Sequence, residues 1–434
     1  MEGGPSFAAY TIAEALVSAG VDVRIATTTG SKESPSDYRT TGQQDNETEE
    51  SREQQGAGSE GSEAGSRGQG ARSREGDGYS VICFRREFEP YKVSFGLTRW
   101  LRENVAKFDL VHVHALFSFS STMAARIARK NNVPYIVRPL GVLNQWGIRN
   151  RRRLPKLVSL RLIELPILLN SAAIHFTSEA EREEAALLDA RLAKHESVVI
   201  PLPVKPVAKG DPERFLDRYP KLRGRKIILF LSRIDRKKGI ELLFDAFAMV
   251  RQKNKDVALI IAGEGEESYV RELQEHARRV LETTGPQTTG PRTTDRQQKV
   301  SGQWSVVSGQ GASEVIWTGH LSGEMKVAAL AAADVFVLPS ASENFGIAAA
   351  ESLAADVPTI VSEEVALSSD IRKYDAGVVV KRDVQQLAGA IGDLLSNKEK
   401  AATLVANGRR LVEERYSPEA VGKALHELYQ KIIT

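Results

Sequence analysis

Two carboxylates stand eight positions apart, Glu343 and Glu351, on either side of an apolar run of small residues, and a cluster of cations, Arg233, Arg236, Lys237 and Lys238, lies upstream of them. Carboxylates accept hydrogen bonds from hydroxyl groups, and arginine with its planar fork and lysine with its mobile point charge together neutralise a diphosphate. A ligand rich in hydroxyls at one end and anionic at the other, such as a sugar attached to a phosphate, suits that combination. Spacing alone leaves a plainer reading open, in which Glu343 caps a helix, Glu351 is a solvated helix residue and the cations are a solvated charge run.

The elements around these residues decide where they point. Asp334 to Leu338, ended by Pro339, reads as a short buried strand, and Val357 to Val361 as the next one. Between them come a loop, Ser340 to Asn344, and a helix beginning near Phe345-Gly346 that carries Ala348, Ala349, Ala350, Glu351 and Leu353. Strand, helix and strand in that order make a parallel crossover unit, whose ligand crevice lies beyond the carboxyl ends of the strands. Glu343 then sits at the rim of the crevice, and Glu351 about two turns into the helix close to the same face. The amides of Asn344 to Ile347, at the helix start, are available to an anionic or hydroxyl-rich ligand. The cations follow another strand, Lys226 to Ser232, in a loop leading to a helix from about Gly239 to Val250. Further strands are expected at Leu259 to Ala262, Val315 to Gly319 and Gly377 to Val380, and helices at Lys326 to Ala333, Val384 to Leu395, Lys398 to Tyr416 and Ser417-Pro418 to Ile433.

The first half has the same alternation. A helix over Ser6 to Ala19 follows Gly3-Gly4-Pro5, and strands are expected at Val21 to Ala26, Tyr79 to Phe84, Phe108 to His114, Val133 to Arg138, Ala172 to Ser178 and Val198 to Pro203. His112 and His114 point to one side of their strand, and His114, as its last residue, lies at the cleft. No HExxH motif completes a metal site around them. The proline-spaced run Pro201 to Pro212 reads as a linker. Residues 31–78 and 282–313 are rich in Ser, Gly, Gln, Thr and charged residues, and are expected to be low-complexity insertions, the first of them disordered.

The chain has 434 residues, 41% hydrophobic and 26% charged, a globular composition long enough for two domains. A net charge of +3 does not argue for nucleic acid, and no helix-turn-helix or aromatic RNA-binding signature is present. A single cysteine, Cys83, excludes an intramolecular disulfide and a multi-cysteine metal site, and points to a reducing cytoplasm. No uncharged apolar run reaches the length of a spanning helix. Between Arg149 and Arg161, however, Arg149, Arg151, Arg152, Arg153, Lys156 and Arg161 interleave with Leu154, Leu157 and Leu160 on an expected amphipathic helix, which fits either a solvated face or a peripheral contact with an anionic membrane.

Ser342-Glu343-Asn344-Phe345-Gly346 with Glu351 resembles the paired-glutamate motif of retaining glycosyltransferases of the GT-B fold, family 4, the group 1 glycosyltransferases. Ser232-Arg233 with Lys237-Lys238-Gly239 resembles that family's donor-phosphate segment, and Leu259 to Gly265 its next strand and loop. The resemblance implies an α/β protein of two Rossmann-like domains with a cleft between them. It implies an acceptor domain over residues 1–203, a nucleotide-sugar donor domain over 204–416, and a terminal helix over 417–434 crossing back to the first domain. It further implies that Glu343, Arg233 and Lys238 act in catalysis, and that Gly3, Gly4, Arg233, Lys238, Glu343, Asn344, Phe345, Gly346 and Glu351 bind the donor. His114 and Arg138 then lie on the acceptor side. No metal or other cofactor is expected, since basic side chains and helix amides meet the diphosphate. The expected activity is retaining transfer of a hexosyl-type sugar from a nucleotide-sugar to a sugar or lipid-linked acceptor, in exopolysaccharide or glycolipid synthesis.

Two departures from the pattern stand out. Many relatives carry a histidine in the turn after the strand ending at Arg138, where this chain has Leu140 in Pro139-Leu140-Gly141. The strand that precedes the glycine-rich loop in relatives has no counterpart before Gly3-Gly4, so a truncated frame or a late start codon is expected, as is, in the alternative, a weak or inactive nucleotide-sugar-binding protein. A Rossmann dehydrogenase is disfavoured because no GxGxxG follows a first strand.

Overall fold

A computed structural model describes residues 4–29, 72–76, 78–143, 153–207, 210–283, 299–300, 303–304 and 314–434. The chain divides into two compact units. Met1–Phe176, Glu181–Ile200 and Gly422–Thr434 form the first; Thr177–Ala180 and Pro201–Val421 form the second.

In the first unit, β1 (Val23–Thr29) pairs in parallel with β3 (Tyr79–Arg85), and β2 (Arg72–Gly76) pairs antiparallel to the other side of β3. β4 (Val111–His114), β5 (Tyr135–Arg138), β6 (Ala173–Phe176) and β7 (Ser197–Val199) form a parallel sheet in chain order. Among the described residues these are two separate sheets. β5 and β6 are buried at every position, which is what continuous apolar runs produce when helices cover both faces of a parallel sheet. Serines begin two of the covering helices: Ser94 Oγ accepts from the Leu97 amide at Phe95–Asn104, and Ser118 Oγ accepts from the Ser121 amide at Phe119–Lys130.

β2 corrects the expected disordered insertion at its carboxyl end. Arg72–Gly76 has no apolar alternation, but backbone pairing along the edge of β3 needs none, so order begins there and not at Tyr79. The remainder of that insertion lies outside the described residues. Within the second insertion, two short strands, β10 (Lys299–Val300) and β11 (Gln303–Trp304), pair antiparallel.

The second unit is built on six parallel strands. They are β8 (Lys226–Leu231), β9 (Val257–Ala262), β12 (Val315–Gly319), β13 (Val335–Leu338), β14 (Thr359–Ser362) and β15 (Val378–Val380), in the order β12-β9-β8-β13-β14-β15. β9, β13 and β14 are buried at every position, and β8 at Ile227 to Phe230. The order grows one way from β8 and the other way from β13, so the connections leaving these two neighbours diverge. That divergence opens a crevice at their carboxyl ends. The sheets of the two units with their helices make the protein a two-unit Rossmann-like α/β fold.

Gly239 holds the two loops of the crevice together. It has φ 66° at the cap of the helix Ile240–Lys253, and a Cβ there would collide with the Pro339 carbonyl at the end of β13. Gly239→Ala therefore meets both a left-handed backbone and a backbone atom that cannot swing away. The expected cost is about 2 kcal/mol, or roughly 4–8 °C in the melting of the second unit, read by calorimetry. An unchanged midpoint would show that the loops do not meet there.

Candidate functional site

The loop after β8 makes a single turn of 3-10 helix over Arg236–Lys238, started by Asp235 Oδ1 accepting from the Lys237 amide. This turn draws the Lys238 side chain inward, where it is buried, and its Nζ donates to Glu343 Oε2 from the loop after β13. Glu343 is pinned through its backbone as well, donating to the Glu364 carbonyl at 3.2 Å and accepting from the Ala366 amide at 3.1 Å. The two residues expected from sequence to act together are thus brought together across the reversal of strand order. Arg233, on the same loop as Lys238, is exposed and makes no hydrogen bond or ion pair among the described residues, so its fork is free for an anion.

The helix after β13 starts at Ile347, two residues later than expected. Gly346 takes φ 93°, a left-handed conformation that ends the loop and that a bulkier residue would oppose, with Val365 Cγ1 2.9 Å from where a Cβ would stand. Asn344 is exposed at the rim. Phe345 turns its ring inward, 5.5 Å from the Tyr416 ring and edge-on to it, so what it can offer a donor is its backbone amide and not its side chain. Glu351 falls in the second turn of the helix, where Lys326 Nζ donates to its Oε1 at 2.8 Å. Lys326 comes from the helix Gly323–Ala332, which precedes β13. It was missed in the sequence, where the only signal is a single cation inside an alanine-rich helix.

The first unit gathers a different set. His114 ends β4 and Arg138 ends β5, paired in register, with Arg138 Nη1 3.4 Å from His114 Nδ1. Arg138 is fully buried; its Nε and Nη2 have no hydrogen-bond partner among the described residues, and burial lowers it to about 10 while the Glu181 carboxylate opposes the fall. His112 Nδ1 lies 2.7 Å from Tyr429 Oη on the terminal helix Pro418–Ile433, and its Nε2 lies 3.3 Å from His175 Nδ1. His175 Nε2 donates to the Ile200 carbonyl at 2.7 Å. Desolvation holds all three histidines below their ordinary range, His175 at about 3, and the Arg138 cation pushes the same way. They are neutral at pH 7, and so one ring nitrogen of His114 can accept from Arg138. His175, Tyr429 and Glu181 were not singled out in the sequence.

Leu140 and Gly141 are consecutive left-handed residues, φ 62° and 71°, in the turn after β5. A leucine in that region is a costly placement, and the buried Glu181 carboxylate holds the turn by accepting from the Gly141 amide. Gly4 is the first residue of the helix Gly4–Ser18, and Gly3 lies outside the described residues. Of the basic run, Arg149, Arg151 and Arg152 lie outside them too; the rest is a helix at Arg153–Ser159 followed by a π-helical turn at Leu160–Glu164.

The family model for glycosyl transferases group 1 matches residues 213–284 and 310–411, and that for the glycosyl transferase 4-like domain matches residues 3–203. The chain belongs to the group 1 glycosyltransferases. This glycosyltransferase is 29% identical over 223 residues to a phosphatidyl-myo-inositol mannosyltransferase of Mycobacterium leprae, a match covering 50% of this chain and 49% of the relative. It is 24% identical over 344 residues to a D-inositol 3-phosphate glycosyltransferase of Corynebacterium urealyticum, covering 77% of this chain and 74% of that one. The match thus spans about half the length of the first of these relatives. Among solved structures, Anabaena HepE in complex with UDP and glucose superposes with a TM-score of 0.60 at 17% identity, over 81% of this glycosyltransferase and 86% of that chain. Sucrose-phosphate synthase from Thermosynechococcus elongatus gives 0.63 at 20% identity, over 99% and 94%. At such identities the likeness speaks for the GT-B fold.

The neutral histidines make the stability of this glycosyltransferase depend on pH. Unfolded histidine binds its proton near 6.5, and His175 in the fold only near 3, so below 6.5 the unfolded chain holds more protons and stability falls as pH falls. At pH 5 the expected loss is about 2 kcal/mol for each histidine that stays neutral in the fold. Urea melts at pH 7 and pH 5 measure it, and His175→Gln should flatten the dependence. A melt independent of pH over this range would contradict the neutral cluster.

Proposed function

We propose that this chain is a retaining glycosyltransferase that moves a sugar from a nucleotide-sugar to a sugar or lipid-linked acceptor. The observation that carries the reading is the meeting of Lys238 and Glu343 across the β8–β13 crevice, with the exposed Arg233 on the loop that carries Lys238. In this scheme Arg233 and Lys238 neutralise the diphosphate as charge develops on it, so that no metal is needed. Glu343 and the amides of Asn344 to Gly346 hold the sugar hydroxyls, and Glu351 holds the nucleotide ribose. His114 and Arg138, at the carboxyl ends of β4 and β5, serve the acceptor. Similarity to proteins named for phosphatidyl-inositol and inositol-phosphate acceptors supports an anionic acceptor, to which the partnerless nitrogens of Arg138 answer in charge. The chain works in the cytoplasm, in exopolysaccharide or glycolipid synthesis; no helix among the described residues is long and apolar enough to cross a membrane.

A panel of nucleotide-sugars tests the reading by thermal shift and turnover, with the product's anomeric configuration read by NMR. One donor should stabilise the chain and turn over with retention, undiminished by EDTA; inversion or a strict metal requirement would refute the corresponding part. A donor that stabilises the chain without turnover would favour a binding protein, the reading to which Leu140 in the strained turn after β5 lends weight.

Glu343→Ala would leave Lys238 buried without its counter-charge, so Glu343→Gln, which keeps a hydrogen-bond acceptor, is the cleaner substitution. It should lower kcat by about a hundredfold or more, and because the amide keeps an acceptor for Lys238 but not its counter-charge, the melting midpoint should fall by less than in Glu343→Ala, leaving the variant folded at the assay temperature. Near-parental kcat would remove Glu343 from the reaction. Lys326→Met should weaken nucleotide-diphosphate binding by about tenfold, and the loss should not add to that of Glu351→Gln if Lys326 acts by orienting Glu351. Additive losses in the double variant would make the two residues independent.

A further inference from the structure

The first unit exposes large apolar side chains on two segments that touch. Phe88 is 58% exposed, Tyr91 40% and Phe95 63% on the segment after β3; Val158 is 58% and Leu162 69% exposed on the basic helical segment. Tyr91 Oη lies 3.3 Å from Ser159 Oγ, which joins the two segments. The first is a firm projection. Phe88 and Val93 bridge its base, Lys92 turns it with φ 52°, Ser120 Oγ holds the Lys92 carbonyl at 2.9 Å, and Phe95 stacks edge-on against Phe119 at 6.4 Å. Scattered exposed apolar residues are ordinary on protein surfaces, but a contiguous rigid group of this size marks an interaction site.

The charge around the group selects its partner. Lys92 and Arg161 are exposed and Lys156 is half-buried at its border. The acidic side chains nearby are already engaged, Glu87 accepting from the Phe95 amide at 2.9 Å and Glu89 paired with Arg86 at 3.2 Å. An apolar centre with a cationic border and a tyrosine between them suits the headgroup region of an anionic bilayer, where phenol rings settle at the water boundary and each basic residue contributes roughly fivefold in partition.

We infer that Tyr91, Phe95, Val158 and Leu162, bordered by Lys92 and Arg161, form a surface by which the first unit docks on a membrane containing anionic phospholipid. The helices Phe95–Asn104 and Phe119–Lys130 follow β3 and β4, so the surface lies toward the carboxyl edge of the strands, the edge that His114 and Arg138 share. Granting the acceptor role proposed for those two residues, a lipid-linked acceptor reaches them from the bilayer without leaving it.

Sedimentation of the full chain with vesicles of phosphatidylglycerol and phosphatidylcholine in equal parts, against phosphatidylcholine alone, tests the inference. The parent should bind the anionic vesicles. Tyr91→Ser, Phe95→Ser, Val158→Ser and Leu162→Ser combined should lower its partition by about tenfold or more, with the melting midpoint unchanged, because all four side chains are exposed. Lys92→Glu with Arg161→Glu should also lower it by about tenfold and abolish the preference for anionic lipid. A parent that stays in the supernatant, or a fourfold variant that binds like the parent, would overturn the docking surface. So would a parent that is dimeric and loses dimerisation in the fourfold variant without binding vesicles, since the group would then belong to a second copy. Vesicle binding requires no donor, so this outcome is independent of whether Glu343→Gln supports the transferase reading.

Discussion

A lysine buried beside a carboxylate, at the place where a parallel sheet reverses its order, is the constraint on which the second unit depends. An ammonium group withdrawn from water needs a counter-charge within reach, and Glu343 supplies it to Lys238. Each residue ends up there because its own strand is a neighbour of the other's and the loops leaving them diverge. Gly239 and Gly346, both left-handed, let those loops approach each other and the helices that follow. Glu343 is itself partly exposed, so the pair lies at the surface of the crevice and is a local source of stability there.

The first unit manages charge in the opposite way. His112, His114 and His175 are kept neutral by burial, Arg138 is buried with two nitrogens unmatched among the described residues, and the carboxylate nearest in effect, Glu181, is already engaged in holding a strained turn. Tyr429 ties the terminal helix into that cluster through His112. A cluster of this kind has unsatisfied capacity for an anion, whereas the crevice of the second unit holds a paired lysine and carboxylate with the exposed Arg233 on the loop that carries the lysine.

Membership of the group 1 glycosyltransferases sharpens the significance of Leu140. Leu140 holds a left-handed backbone from which leucine gains nothing, and its side chain can neither donate nor accept a hydrogen bond. At the carboxyl ends of β4 and β5 beside this turn, His114 and Arg138 supply the polar groups.

Continuous apolar runs ended by proline, glycine or a polar loop were enough to place β8, β9, β13 and β14 and so to establish an α/β chain of Rossmann-like units, because a strand buried on both faces has almost no freedom in its composition. The spacing of Glu343 and Glu351 marked the stretch that carries them as chemical. Other features were not legible. β2 has no side-chain pattern, since an edge strand can be held by backbone bonds alone; the helix after β13 starts late because Gly346 adopts a conformation that local propensity does not announce. That the Phe345 ring packs into the core, leaving its backbone amide on the loop, was not legible either. Above all, the sequence by itself supplied the charged residues but not their partners. That Lys238 meets Glu343, Lys326 meets Glu351 and Tyr429 meets His112 follows from strand order and from the packing of helices distant in sequence, and those are settled by the burial of the whole chain, not by any local run of residues.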